Sequence, residues 1–289
     1  MVTDSTSSLD HRVCTQAGVR VVPLQVVIDD VSRAEALSSG SGDPSAVTPA
    51  EVAAALRAGR RVTTSRPAPE AFSAAYAELA GAGHDAVVSV HLSRAMSSTV
   101  EAARLAAAHA PVPVTVVDSN TIAMAAGFAV LSGADAASRG ATAADVARLV
   151  QRRAEKAEMY FSVPSLEFLR RGGRIGPAAA LLGSALSVKP LLTLADGAIR
   201  PYERARTLAR AHARLEELAA GSIATAVERT AGLDVAVHHL DDQVGADRLA
   251  ERLAARLPGS AHLVVAELSA VLGVHVGPGT LGVVVAPWV

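Results

Sequence analysis

The sequence predicts an α/β protein of two domains: a three-layer domain built on a parallel sheet, then an α+β domain with a mixed sheet. Three observations carry this expectation. Short β-rich apolar runs alternate with capped helical patterns through about residue 157, as in a parallel sheet between helix layers. Polar loops at Asp4–Ser8, Thr63–Arg66, Ser93–Ser98 and Asp118–Asn120 each follow a strand pattern, and such sheets bind ligands beyond the carboxyl ends of their strands. The second half breaks the alternation with a hairpin signal, Asp196-Gly197 between Leu191–Leu194 and Ala198–Tyr202. The boundary falls near residues 155–163, dividing the chain into 1–158 and 159–289.

Element by element, Met1–Thr3 reads as the stub of a strand running into the polar cluster Asp4–Ser8, a loop or helix cap. Val19–Ile28 reads as one bent or edge strand because Pro23 lies inside it. Asp30–Val47 is Ser/Gly-rich and reads as a surface loop. Thr48-Pro49-Ala50-Glu51 gives cap, first-turn proline and N3 glutamate for a helix to about Arg57. Thr63–Pro67 reads as a loop before a helix from about Pro69 to Leu79. Ala86–Leu92 is a buried strand, and Ser98-Thr99-Val100-Glu101 a capping box. Val112–Val117 is a strand, followed by helices at about 121–139 and 143–157.

In the second half, Met159–Val163 is a strand and Leu166–Arg206 supplies two short helices. After the hairpin come a helix from Arg206 to about Thr230, a strand at Asp234–His239, a helix at Val244–Leu257 and a strand at His262–Glu267. A Gly-rich loop, Leu272–Gly282, precedes the last strand, Val283–Ala286.

The 289 residues are 50% apolar but only 3% aromatic, so pockets should be aliphatic rather than ring-lined. A net charge of −1 argues against a nucleic-acid partner, which needs a basic face. Cys14 stands alone, which rules out a disulfide framework and a Cys-type metal site. MVTDSTSS has neither the basic nor the apolar region of a signal peptide, and apolar runs such as 122–137 are broken before membrane-spanning length. A soluble cytoplasmic protein is expected.

Several motifs compete for chemistry. Leu166–Arg206 gathers Arg170, Arg171, Arg174 and Lys189 around two apolar runs. Its Gly172-Gly173-Arg174 turn reads either as an anion cradle or as a solvated Arg cluster at a helix end. Gly277–Gly282 spells GxGxxG, but only seven residues follow, too few for the crossover helix of a dinucleotide site. Neither lysine stands in a Walker A context, and there is no GxSxG elbow. His238-His239 with Asp241-Asp242 is a weak metal pattern, because adjacent strand residues face opposite sides. His275, among small residues, and Ser97, just before a helix cap, are candidates to hold an anion. A Ser97–His275–Asp118 triad can also be written, without geometry to support it.

Taken together, these pieces resemble the DegV family, the bacterial fatty-acid-binding proteins that act as the B subunit of fatty acid kinase. The match runs in order along almost the whole chain: Asp4-Ser5-Thr6-Ser7, Val22-Pro23-Leu24, Thr64-Ser65-Arg66-Pro67, His91-Leu92-Ser93 through Met96-Ser97-Ser98-Thr99, and Asp118-Ser119. It continues through Leu166 to Gly172-Gly173-Arg174-Ile175, Leu182-Gly183, Lys189-Pro190, Asp196-Gly197, Arg204–Arg206, and His275 with Gly277-Pro278-Gly279. Any one motif is weak; the ordered set is strong.

The resemblance implies two α/β domains with a long-chain fatty acid in the cleft between them. It implies a carrier rather than an enzyme, with no cofactor and no metal. The acyl carboxylate would be held by Thr64, Ser97 and His275, with Ser65 beside them. Ser93, Ser98, Asp118, Gly277 and Gly279 would shape the supporting loops. A separate ATP-dependent kinase subunit would convert the carboxylate to an acyl phosphate, meeting the chain at Arg174, Arg204 and Arg206. Transient contact with a membrane surface would accompany lipid exchange. The apolar runs of Leu166–Arg206 would then wall the acyl tail. The chain departs from the family pattern in a shorter first strand, Arg66 where Gln is usual, Ser98 where Gly is usual, and Val100 in place of an aromatic. Two other readings stay open: a hydrolase or acyltransferase using Ser97 and His275, and a ligand-free regulatory module.

Overall fold

The computed structural model describes residues 1–37, 43–181 and 188–289. In the first half β1 (Val2–Asp4) ends in a short 3-10 turn at Ser5–Ser7, capped by the Asp4 carboxylate. There follow α1 (His11–Gln16), β2 (Arg20–Val22), β3 (Gln25–Ile28), β4 (Val31–Ala34), α2 (Pro49–Arg57), β5 (Val62–Ser65) and α3 (Pro69–Gly81). Then come β6 (Val87–His91), α4 (Thr99–Ala107), β7 (Val114–Asp118), α5 (Ala123–Ser138) and α6 (Ala143–Lys156). The second half has β8 (Glu158–Ser162), α7 (Glu167–Arg171), a 3-10 turn at Gly176–Leu181, β9 (Lys189–Ala195), β10 (Ala198–Ala205) and α8 (Leu208–Arg229). It ends with β11 (Leu233–Leu240), α9 (Gln243–Ala254), β12 (His262–Glu267), α10 (Ala270–Val276) and β13 (Thr280–Pro287).

The strands form a parallel sheet in the order β2-β1-β6-β7, a mixed sheet β10-β9-β8-β13-β11-β12, and a small antiparallel sheet β4-β3-β5. This is the α/β fold expected, with a parallel-sheet domain and a mixed-sheet C-terminal domain. Alternation along the strands explains the layering. Val87 of β6 packs with α3 and α4, whereas Val88 and Val90 pack with α5. On β13, Val284 and Ala286 join the core of α5 and α6, whereas Val283 and Val285 join that of α8 and α9. The α5–α6 pair therefore lies between the two large sheets, which is why α5 is buried on all sides from Ala123 to Val130.

Local chemistry sets the predicted helix starts. Thr48 Oγ1 accepts from the Glu51 amide at 3.1 Å, and Thr142 Oγ1 from that of Asp145 at 3.2 Å. Asp196 and Gly197 take positive φ (51° and 73°), as the β9–β10 hairpin requires. Five local expectations need correction. Pro23 does not bend one strand; it separates β2 and β3, which join different sheets. Val31–Ala34, within the expected loop, is a strand turned back on β3 through Asp29 and Asp30, both at positive φ. Thr63–Ser65 is not a loop but lies in β5, paired antiparallel with β3. His275 lies not in a Gly-rich loop but in the last turn of α10, capped by Ser269, whose Oγ accepts from Leu272 N at 3.3 Å. Ser98 starts α4, yet its side chain makes no capping bond, so the expected box is incomplete.

A polar and an apolar cavity meet at His275

The site begins with two elements distant in sequence. β5 presents Thr64 opposite Val26 of β3, and α10 brings His275 to it. Thr64 Oγ1 and His275 Nε2 lie 2.9 Å apart. The His275 ring is 9% exposed, and burial, with the nearby Arg174 charge, lowers its pKa to about 4. The imidazole is therefore neutral at neutral pH. Its Nδ1 has no hydrogen-bond partner among the described residues and packs against Gly172, where an added methyl would overlap the ring. Gly172 has an ordinary helical φ (−76°), so what it supplies is close approach rather than unusual backbone freedom.

Two cavities share His275. One, of about 490 Å³, carries the polar groups of Thr64, Arg60, Arg61, Arg171 and Arg174 beside apolar Leu56, Val62, Phe168 and Val274. Arg60 and Arg61 pair with Asp29 and Asp30, and Arg171 with Glu167. Arg174 differs. Its Nε donates to Met96 O at 3.0 Å and its Nη1 to Gly172 O at 2.7 Å, and it has no carboxylate partner among the described residues. The other cavity, of about 50 Å³, is lined by Met96, Met159, Phe161, Leu169, Leu272 and Gly282, with His238 and Thr280 beside them. Both polar side chains are satisfied internally. His238 Nδ1 donates to Ala266 O at 2.9 Å and Nε2 accepts from Met124 N at 3.2 Å. Thr280 Oγ1 donates to Gly277 O at 2.8 Å. That cavity thus presents hydrocarbon, and the neighbouring one presents cations and a hydroxyl.

The remaining predicted residues are placed as follows. Ser97 is half-buried and bonds Thr99 Oγ1 at 2.9 Å; it lines neither cavity, although Met96 beside it lines the apolar one. Ser65, next to Thr64 on β5, is exposed and bonds the carbonyl of Arg66. Ser93 is buried, its Oγ accepting from Ala95 N, and Ser98 is exposed. Asp118 accepts from Arg94 N at 3.3 Å and Asn120 N at 2.9 Å. Gly277 ends α10 at positive φ beneath the Phe168 ring, and Gly279 N donates to Leu240 O at 2.8 Å. Arg204 and Arg206 are exposed on and just beyond β10, without ion pairs among the described residues. Arg170 and Arg171 both pair with Glu167, whose carboxyl they hold at about 2. From the Leu166–Arg206 runs, Leu169 and Ile199 reach the apolar cavity, and Leu182-Gly183 lies outside the described residues.

The Ser97–His275–Asp118 triad is not assembled: His275 bonds Thr64, and Asp118 holds loop amides. A Ser–His–Asp relation does occur elsewhere. Ser89 Oγ lies 2.7 Å from His91 Nε2, and His91 Nδ1 lies 3.0 Å from Asp4 Oδ2. Ser89 is 0% exposed, is also bonded by Tyr76 and lines neither cavity, so this relay ties strands together. His238 and His239 face opposite sides of β11, and the bonds of His238 are structural. Sequence reasoning missed Glu35 and the packing of Gly172 on His275. Gly172 and Arg174 read there as one turn, an anion cradle or a solvated Arg cluster, with Arg174 also as partner-facing. Glu35, buried behind α10, carried no signal within its Ser/Gly-rich surroundings.

The family model described as "Uncharacterised protein, DegV family" matches residues 1–287. A DegV domain-containing protein of Streptomyces coelicolor is 48% identical over 99% of this chain and 97% of its own length. One from Mycobacterium tuberculosis is 36% identical over 99% and 96%. Among solved structures, the fatty-acid-binding DegV family protein of Thermus thermophilus superposes with a TM-score of 0.87 at 34% identity, covering 99% of this chain and 98% of that one. DegV of Bacillus subtilis, a fatty acid binding protein, gives 0.86 at 29%, covering 99% and 97%. The chain belongs to the DegV family.

Proposed function

We propose that the protein binds a long-chain fatty acid, its tail in the apolar cavity and its carboxylate at Thr64 and His275. The observation that carries this reading is the junction at His275, where a hydrocarbon-lined cavity abuts a cationic one. Each methylene moved from water into the apolar cavity contributes about 0.8 kcal/mol, so the tail supplies most of the affinity. The carboxylate must not be left unpaired. If His275 Nε2–H donates to Thr64 Oγ1, the threonine hydroxyl keeps its proton for the carboxylate, and Arg174 supplies the opposite charge. At about 50 Å³ the apolar cavity has about a tenth the volume of the polar one beside it. A chain therefore enters as Met96, Met159 and neighbouring side chains change rotamer, for which methionine is well suited.

On this reading Ser97 completes the carboxylate end, within the loops of Ser93, Ser98, Asp118, Gly277 and Gly279, while Ser65 faces the other side of β5 from Thr64. Residues 1–158 and 159–289 form the two domains. The bound acid is presented to an ATP-dependent kinase subunit, in keeping with the family resemblance, through the exposed Arg204 and Arg206, with Arg174 at the cavity mouth. The chain acts as a carrier in the cytoplasm and touches membrane surfaces only to exchange lipid. No described helix is long and apolar enough to cross a membrane. Native mass spectrometry of the purified protein tests the core of this. A bound acyl chain, or uptake of added palmitate at one per chain, is expected. Neither bound lipid nor uptake would sink the reading.

A further inference from the structure

Glu35 is a fully buried carboxyl with no part in the contacts described so far, and it joins three segments. Its Oε2 accepts from Val271 N at 2.8 Å, in the first turn of α10. Its Oε1 takes the hydroxyl of Ser5, just after β1, and Ser269 adds a further hydrogen bond. The same Ser5 Oγ accepts from Leu24 N at 2.8 Å, and Glu35 N donates to Leu24 O at 2.9 Å. Leu24 leads directly into β3.

These bonds reach both halves of the Thr64–His275 contact. Thr64 is placed by β3, through the pairing of β5 with it at Val26. His275 is placed by α10, four residues and one helical turn beyond Val271 on the same face. The helix is short, with seven residues, so a bond at its first turn governs where its last turn sits. A buried acceptor that loses its donors carries a desolvation cost, so the network resists sliding of α10 past β3. We infer that Glu35 is a positioning residue for the Thr64–His275 pair, fixing β3 and α10 in the register that brings the two side chains within hydrogen-bond distance. Its role in ligand binding rests on the fatty-acid reading above; its role in setting the pair does not.

The test uses the full chain as wild type, Glu35→Leu and Glu35→Gln, read by the nitrogen resonances of the His275 imidazole and by affinity for palmitate and hexadecanol. Glu35→Leu keeps the volume and removes the acceptors. It is expected to move the His275 resonances toward those of Thr64→Val and to reduce the preference for palmitate over hexadecanol roughly tenfold. Glu35→Gln keeps an acceptor for Val271 N and should restore the resonances, with the preference within about threefold of wild type. Thermal stability shifts with the loss of a buried carboxyl whatever the role of Glu35, so melting does not decide. Unchanged His275 resonances in a folded Glu35→Leu protein would overturn the inference. If that variant does not fold, Ser5→Ala, which removes one of the bonds to Glu35, must shift the same resonances or the inference fails. Should the wild type take up neither lipid, the fatty-acid reading falls, and the resonances alone still decide the role of Glu35.

Discussion

Replacing Thr64 by Val keeps the branched shape that β5 favours and removes only the hydroxyl. Two costs follow. Without ligand, His275 Nε2 loses its 2.9 Å partner, and its Nδ1 already has none among the described residues. A buried polar group left unsatisfied costs about 1–3 kcal/mol. At about 2–4 °C of melting temperature per kcal/mol, a drop of several degrees should be measurable. With ligand, a hydrogen bond to a carboxylate is lost, about 1.5–3 kcal/mol against 0.5–1.5 for a neutral hydroxyl. Palmitate should therefore weaken roughly ten- to hundredfold and hexadecanol tenfold at most. Displacement of a fluorescent fatty acid by each lipid, in wild type and variant, measures both. Equal loss for acid and alcohol would refute the placement of the carboxylate at Thr64.

Three further outcomes follow from the same geometry. Gly172→Ala should displace the His275 ring, lowering stability by about 1–3 kcal/mol and palmitate affinity with it, as binding and melting assays would show. His238 has a pKa lowered by burial from 6.5 to about 4, so the unfolded state takes the proton first as pH falls. The stability from keeping it neutral is complete above about pH 6.5 and is lost toward pH 4, amounting to about 3 kcal/mol. In urea unfolding, the gap between wild type and His238→Gln should shrink by about that much from pH 7 to pH 4; parallel curves would refute it. Arg206→Glu should leave lipid binding intact and abolish phosphorylation by a partner kinase, and loss of both would return Arg206 to the binding site.

Much of the fold was legible where local chemistry decides structure. Thr48, Thr142 and Asp196-Gly197 each sit at a position where one residue type satisfies free amides or a left-handed turn. Pairing between strands was not legible. Nothing within Val19–Ile28 tells that Pro23 divides two sheets, because membership depends on partners far along the chain. Thr63-Thr64-Ser65 reads as a polar loop because β5 covers only a small sheet and alternates in burial. Ser269 was an available start signal for α10, with Gly277 as its stop, but the glycines around His275 masked it. Glu35 illustrates the limit: a buried acid in a Ser/Gly-rich stretch looks like a solvated one until Ser5 and Val271 close on it.

The most direct measurement is a crystal structure of the protein with palmitate. The expected result is continuous density from a carboxylate within hydrogen-bond distance of Thr64, past His275, into the cavity between Met159, Phe161 and Gly282. Density elsewhere, or an apolar cavity still closed to the ligand at saturating palmitate, would contradict it.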